Sequence, residues 1–288
     1  MDPQDPQTPV AETVPEAIPE ANNAPEYAFA PAEKLELTEK CHHYEHKSEV
    51  PWDIAKYFAQ RYSIFSWYDE GVYMTDDAWF GVTPEPVANR VADDMANIDS
   101  KKRVLIDMFA GAGGNSIAFA LSERWDQIIA IELDAATLAC AQNNAECYQI
   151  EPGHITWVNG DSFAYVDTLL KNPESLHPDL RVDVATSVVF ASPPWGGPGY
   201  STDAIFDLYT MQPYGLKELT GAYERFEHAL FLPRTSDIRQ IAKLAPEGEK
   251  IEVVQYCMEG ASKAMVAYIP AKEKTVAVAD VPMVNGDG

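Results

Sequence analysis

Ser192-Pro193-Pro194-Trp195 is the stretch whose residue types point most directly to chemistry. Two prolines stiffen the backbone and carry no N–H of their own. The carbonyls around them are left to accept hydrogen bonds from an exocyclic amine. Ser192 adds a further oxygen acceptor beside Pro193. The Trp195 ring offers a face on which a flat base can stack. Together these residues can hold an amino group on a planar nitrogen ring. A rigid turn closing a strand, with Trp195 as core packing, is the plainer reading.

A second set of residues supplies a place for a reagent. VLIDMFAGAGGNSIAFA (104–120) reads as an apolar strand ending at Asp107, a turn through Gly111, Gly113 and Gly114, and a helix from about Asn115. Glycines let a backbone turn tightly and approach a ligand closely. A nicotinamide-type fingerprint would carry a third glycine where this chain has Ser116. QIIAIELD (127–134) puts Glu132 at a strand tip about 20 residues beyond the glycine turn, where an acidic side chain accepts from ribose hydroxyls. Asp134 suits the cap of the next helix, and Asp161, ending HITWVNGD, suits another. The D-x-F-x-G-x-G run resembles motif I of class I S-adenosylmethionine-dependent methyltransferases. That resemblance implies Asp107 near the methionine end of the cofactor and Asp161 near its adenine. SPPW in turn resembles the (D/N/S)-P-P-(Y/F/W) signature of enzymes that methylate amino groups on flat nitrogen systems.

The elements needed to position these residues follow from the pattern. Strands and helices alternate from about residue 101, which argues a doubly wound α/β sheet. Asp107, Glu132, Asp161, Ser192 and Arg234 each follow a strand, and ligands bind at such carboxyl ends. Residues 215–228 read as a helix, HALFLP as a buried strand, and SDIRQIAKLA as a helix capped by Ser236. EKIEVVQYCMEG and SKAMVAYI read as a closing antiparallel pair. Lys101, Lys102 and Arg103 precede a strand and belong at the opposite end as solvated charge. Upstream, WDIAKYFAQRYSIFSWYD is aromatic-dense, with Pro51 suited to a helix start. A further helix begins near Thr83 or Pro84. This segment is either an aromatic cap on the core or a lid that completes a ligand site.

These elements divide the chain into an acidic disordered tail (1–48), a helical cap subdomain (49–100), the core (101–271) and a flexible tail (272–288). The first 33 residues are rich in Pro, Ala, Glu and Asn without periodicity, as a disordered segment is. Net charge is −24, with 45 acidic against 21 basic residues. An acidic body of this kind opposes a long duplex footprint, because phosphate binding needs basic surface. No apolar run approaches a transmembrane length and no signal-peptide core follows Met1, so a soluble intracellular protein is expected. Cys41, Cys140, Cys147 and Cys257 suggest free thiols. CHHYEH (41–46) invites a zinc reading, but ligand pairs do not recur at zinc-site spacing, so a polar pre-helix segment and no metal are expected.

KYFAQRYSIF, WFGVTPE, DMFAGAGGNSIAFA, IELD, QNNAE, NGD, SPPWGGPGY and FLPR occur in this order. From about Pro51 to Ile269 the chain resembles the trimethylguanosine synthase family, the cap guanine-N2 methyltransferases. The resemblance implies a class I methyltransferase fold, Rossmann-like and doubly wound, with a small N-terminal helical subdomain. It implies S-adenosylmethionine as cofactor, held by Phe65, Thr83, Asp107, Gly111, Gly113, Glu132 and Asp161. Trp195 would stack on the 7-methylguanine, Asn144 would lie near the base edge, and Lys56, Tyr200 and Arg234 would contact the cap triphosphate. Ser192, Pro193 and Trp195 would be the catalytic segment. The implied partner is 7-methylguanosine-capped RNA, small nuclear or nucleolar, with no membrane partner, small ribonucleoprotein proteins as further partners, and the nucleus or nucleolus as location, the cytoplasm being the alternative. Phe58 stands where the family usually has tryptophan, and Glu132 where it has aspartate.

The expected reaction is direct methyl transfer to the guanine 2-amino nitrogen, to give 2,2,7-trimethylguanosine. No histidine neighbours either motif, so no dedicated general base is expected. A different amino-methyltransferase, or a cap-binding module without catalysis, remains open from the residues alone.

Overall fold

The computed structural model describes residues 27–197 and 204–272. Tyr200, residues 1–26 of the expected tail and residues 273–288 lie outside the described residues. Seven strands form one sheet in the order β3-β2-β1-β4-β5-β7-β6. They are β1 (Val104–Asp107), β2 (Gln127–Glu132), β3 (Ile155–Asn159), β4 (Ser187–Ala191), β5 (Glu227–Pro233), β6 (Glu252–Met258) and β7 (Ala261–Ile269). The first five run parallel, and β7 is antiparallel to both β5 and β6. The order reverses between β1 and β4, the switch point where ligands bind in open α/β sheets.

The apolar runs of the strands have this shape because both sheet faces are covered. Side chains alternate between two cores. Leu105, Ala130, Val188 and Phe190 face one, while Ile106, Ile131, Val189 and Ala191 face the other. The second core is closed by α7 (Ser162–Lys171) and α8 (Leu216–Tyr223), through Tyr165, Leu169, Leu219 and Tyr223. The first is closed by α5 (Gly114–Leu121), by α6 (Ala135–Cys147) through Ala145, and by the N-terminal helices. Those are α1 (Ala55–Phe58), α2 (Arg61–Ile64), α3 (Ala78–Gly81) and α4 (Glu85–Ala96). Val87, Val91 and Met95 of α4 are buried against this core at helical spacing. No helix among the described residues is long and apolar enough to cross a membrane.

Several local expectations are corrected. Residues 27–48 are not a free tail. The Ala32 N–H donates to Trp157 O of β3 (2.7 Å), and the Leu35 N–H to Gln142 Oε1 of α6 (2.8 Å). Backbone pairing at a sheet edge and the packing of half-buried Phe29 against the core outweigh the polar composition there. The CHHYEH residues also have structural partners: His42 pairs through its backbone with Met74, His43 Nδ1 lies 2.8 Å from Val72 O, and the Cys41 thiol donates to Ala136 O. The aromatic segment forms two short helices, α1 and α2, with Gln60 between them. The helix expected over 215–228 ends at Tyr223, because the Phe226 N–H turns back to Tyr223 O and β5 begins at Glu227. The helix α9 (Ile238–Ala242) is capped by Asp237, while the Ser236 hydroxyl donates to Pro233 O.

Candidate active site

At the carboxyl ends of β1, β2, β4 and β5 lies a cavity of about 890 Å³. Its floor is the glycine turn after β1, with Glu132 and Asp161 beside it and Ser192 to Trp195 opposite. Tyr57, Phe80 and Thr83 of the N-terminal segment form part of its wall.

The glycine turn has its shape for identifiable reasons. Gly111 has φ +54 and Gly113 φ +92, a region that favours glycine. A Cβ on Gly113 would stand 3.3 Å from Ala141 Cα and O, so α6 packs directly on the turn. At Gly111 a Cβ would meet nothing within 4 Å, which leaves the turn open to a ligand. Glu132 ties this turn to the neighbouring strand: Oε2 accepts the Gly111 N–H (2.9 Å) and Oε1 the Asp134 N–H (2.9 Å). Burial pushes the Glu132 carboxyl above its usual range.

Asp107 sits beneath the turn, fully buried, and is not on the cavity wall. Its Oδ2 accepts from the Ser116 hydroxyl (2.7 Å) and Oδ1 from the Phe109 N–H (3.3 Å). Burial raises its pKa to about 6, and the Ser116 and Phe109 bonds oppose that rise. Ser116, at the position of the missing third glycine, therefore clamps the end of β1 to the start of α5. Sequence reasoning read Ser116 only as a departure from another motif.

Asp161 lines the cavity and caps α7, with Oδ1 accepting from the Phe163 and Ala164 N–H groups (2.8 and 3.0 Å). Thr83 Oγ1 accepts from Asn115 Nδ2 (3.1 Å), which links the N-terminal segment to α5. Phe65 is buried behind this link and does not line the cavity. Its ring tip is 4.0 Å from where a Gly114 Cβ would be.

Ser192, Pro193 and Trp195 all line the cavity. The Ser192 hydroxyl donates to Phe109 O (3.3 Å). The Trp195 indole lies nearly parallel to Phe231, with centroids 5.9 Å apart and planes 12° apart. Its Nε1–H donates to Phe231 O (3.3 Å).

Three of the expected substrate contacts are not on the cavity wall. Asn144 is fully buried: its Nδ2 donates to Tyr73 O (2.9 Å) and Ala112 O (3.0 Å), and its Oδ1 accepts the Tyr73 N–H (2.8 Å). The geometry makes it a tie between the N-terminal segment and the glycine turn. Lys56 is exposed, with Nζ 4.7 Å from the centre of the Tyr57 ring, so it stands over a residue of the wall. Arg234 is exposed just beyond β5. Arg61 is engaged with the Phe58 and Tyr62 rings. The wall also contains aromatic residues that no motif reading singled out, namely Phe109, Tyr214 and Phe231. Phe109 lies inside the glycine motif and Phe231 opens FLPR, but neither ring is given a role there; Tyr214 carries no motif signal.

Comparison with known proteins gives a consistent result. A family model described as RNA cap guanine-N2 methyltransferase matches residues 102–272. The trimethylguanosine synthase of Schizosaccharomyces pombe is 34% identical over 225 residues, covering 77% of this chain and 88% of that protein. The trimethylguanosine synthase of Saccharomyces cerevisiae is 29% identical over 194 residues, covering 66% of this chain and 58% of that protein. A solved structure described as a methyltransferase of Porphyromonas gingivalis W83 superposes with a TM-score of 0.54 at 13% identity, over 81% of this chain and 56% of that one, a likeness of fold. With motifs, sheet and relatives in agreement, the chain belongs to the RNA cap guanine-N2 methyltransferase family.

Proposed function

We propose that this protein converts the 7-methylguanosine cap of small nuclear and nucleolar RNAs to 2,2,7-trimethylguanosine in the nucleus, with S-adenosylmethionine in the cavity as methyl donor. The observation that carries the proposal is the meeting of the Ser192–Trp195 segment and the Gly111–Glu132 turn on one cavity. The donor set fits the cofactor. Each Glu132 oxygen accepts one backbone N–H and keeps a lone pair for a ribose hydroxyl. Gly111 leaves open space where any other residue would project a Cβ. Asp161 stands on the same wall, and the family resemblance sets it beside the adenine.

When bound, S-adenosylmethionine supplies an electrophilic methyl on a sulfonium. The protein's part is orientation. Trp195 stacks on the 7-methylguanine, whose positive charge adds a cation–π attraction of about 0.5–2 kcal/mol. The Ser192 oxygen and the Pro193 carbonyl accept from the 2-amino N–H groups and aim the nitrogen lone pair at the methyl. Positioning of this kind is worth about 7–11 kcal/mol. No histidine is among the described residues lining the cavity, and the proton leaves to solvent after transfer. Lys56 and Arg234, both exposed, would contact the triphosphate, as would Tyr200 by the family resemblance. A cap end needs only a few cations such as Lys56 and Arg234, which reconciles RNA binding with a net charge of −24. In this reading the N-terminal helices act as a cap subdomain over the cofactor, and small ribonucleoprotein proteins deliver the RNA.

The test is methyl transfer from labelled S-adenosylmethionine to two cap dinucleotides, with and without the 7-methyl group. Transfer to the 7-methylated cap alone, with two methyls by mass, is the expected result. Equal transfer to both would refute the cation-stacking basis of the reading.

A further inference from the structure

Phe231 opens the FLPR run, which gives its ring no role, yet it touches the Trp195 platform through both ring and backbone. The indole follows two prolines and precedes Gly196 and Gly197, both at positive φ (86 and 83). Such a loop leaves the orientation of its tryptophan to be set by neighbours. Phe231 does this twice: its ring lies 5.9 Å from the indole at 12°, and its carbonyl accepts the indole N–H at 3.3 Å. Phe231 is itself held in the sheet. It is 4% exposed, and its backbone is paired with Val266 of β7. Its ring stands at 63° to Phe190 (6.3 Å), which stands at 71° to Phe119 of α5 (5.0 Å). A column of rings thus runs from the helix after the glycine turn to the platform.

We infer that Phe231 is a positioning residue that fixes the plane of Trp195 and thereby sets the preference for 7-methylated over unmethylated guanine. The inference rests on the proposed stacking of the cap on Trp195. Attraction between a cationic ring and an indole needs the two planes parallel and close, and it falls away when the indole tilts. An unmethylated guanine carries no charge, so it loses less when the platform loosens. Loss of the Phe231 ring should therefore weaken binding of the 7-methylated base selectively. The carbonyl that accepts the indole N–H belongs to the backbone and survives substitution, so side-chain variants isolate the ring contact.

The experiment uses the full chain and three probes: 7-methylguanosine triphosphate, guanosine triphosphate and S-adenosylhomocysteine. Affinities of wild type, Phe231→Leu and Phe231→Tyr are read by calorimetry, with tryptophan quenching as a second signal for the two nucleotides. The expected result is a ratio of 7-methylated to unmethylated affinity that falls about fivefold or more in Phe231→Leu. Phe231→Tyr keeps the ratio, and S-adenosylhomocysteine affinity is preserved in both. An unchanged ratio in Phe231→Leu overturns the inference. So does an equal fall in both variants, or a parallel loss of S-adenosylhomocysteine affinity, which would mark a general packing role. A wild type that does not distinguish the two nucleotides would overturn the cap-stacking reading as well.

Discussion

Glu132 Oε2 accepts the backbone N–H of Gly111 at 2.9 Å, so one carboxylate at the tip of β2 also closes the turn that follows β1. Removing it should disturb both the ligand contact and the turn. Glu132→Ala is expected to lower S-adenosylhomocysteine affinity tenfold or more, about 1.4 kcal/mol. The freed Gly111 and Asp134 N–H groups should also lower the melting temperature. Calorimetric titration together with thermal unfolding checks both. Unaltered affinity would remove Glu132 from the cofactor site.

Asp107 should leave a mark on the pH dependence of stability. Its pKa is about 6 in the folded protein against 3.8 as the reference value, so the folded state holds the proton more tightly. Its stabilising share is complete below about pH 4 and is lost as pH rises through about 6. Glu132, raised by the same cause, acts in the same direction. Asp107→Asn should therefore gain stability relative to wild type as pH rises, by on the order of 2–3 kcal/mol. Urea unfolding at intervals between about pH 4 and 7 measures it. A wild-type-minus-variant difference that is flat across this window would contradict the burial argument.

Asn144 separates two readings of one residue. Its amide is engaged with Tyr73 and Ala112, all inside the fold. Asn144→Ala leaves buried backbone groups without partners and should cost about 3–5 kcal/mol of stability. Affinity for 7-methylguanosine triphosphate, measured well below the unfolding transition, should persist. Loss of that affinity at unchanged stability would return Asn144 to the base edge.

These residues also show what was legible in the sequence and why. The strand tips and the glycine turn were readable, because period, turn chemistry and spacing are local. Ser192, Pro193, Trp195, Glu132 and Asp161 therefore meet on the cavity wall. Asp107 was placed at the right strand end, but burial under the turn is a tertiary fact that its neighbours in sequence do not encode. Asn144 carries the same chemical groups whether it faces a base or a backbone. Phe231 opens the FLPR run but lies in so apolar a strand that its ring reads as core, and only its contact with Trp195, 36 positions earlier, gives it meaning. The order of residues 27–48 was hidden for the opposite reason: a polar composition resembles disorder until an edge strand offers it partners.

That N-terminal run has a consequence for how the chain can be cut. β3 is an outermost strand, and its free backbone edge would invite pairing with another chain. Ala32 occupies one of its carbonyls, and the Phe29 ring lies against Gly160 just past its end. The region matched by the family model starts at residue 102 and so excludes this seal. A fragment trimmed to that region would keep the catalytic motifs and yet expose an adhesive border, so solubility sets a longer minimal unit than chemistry does.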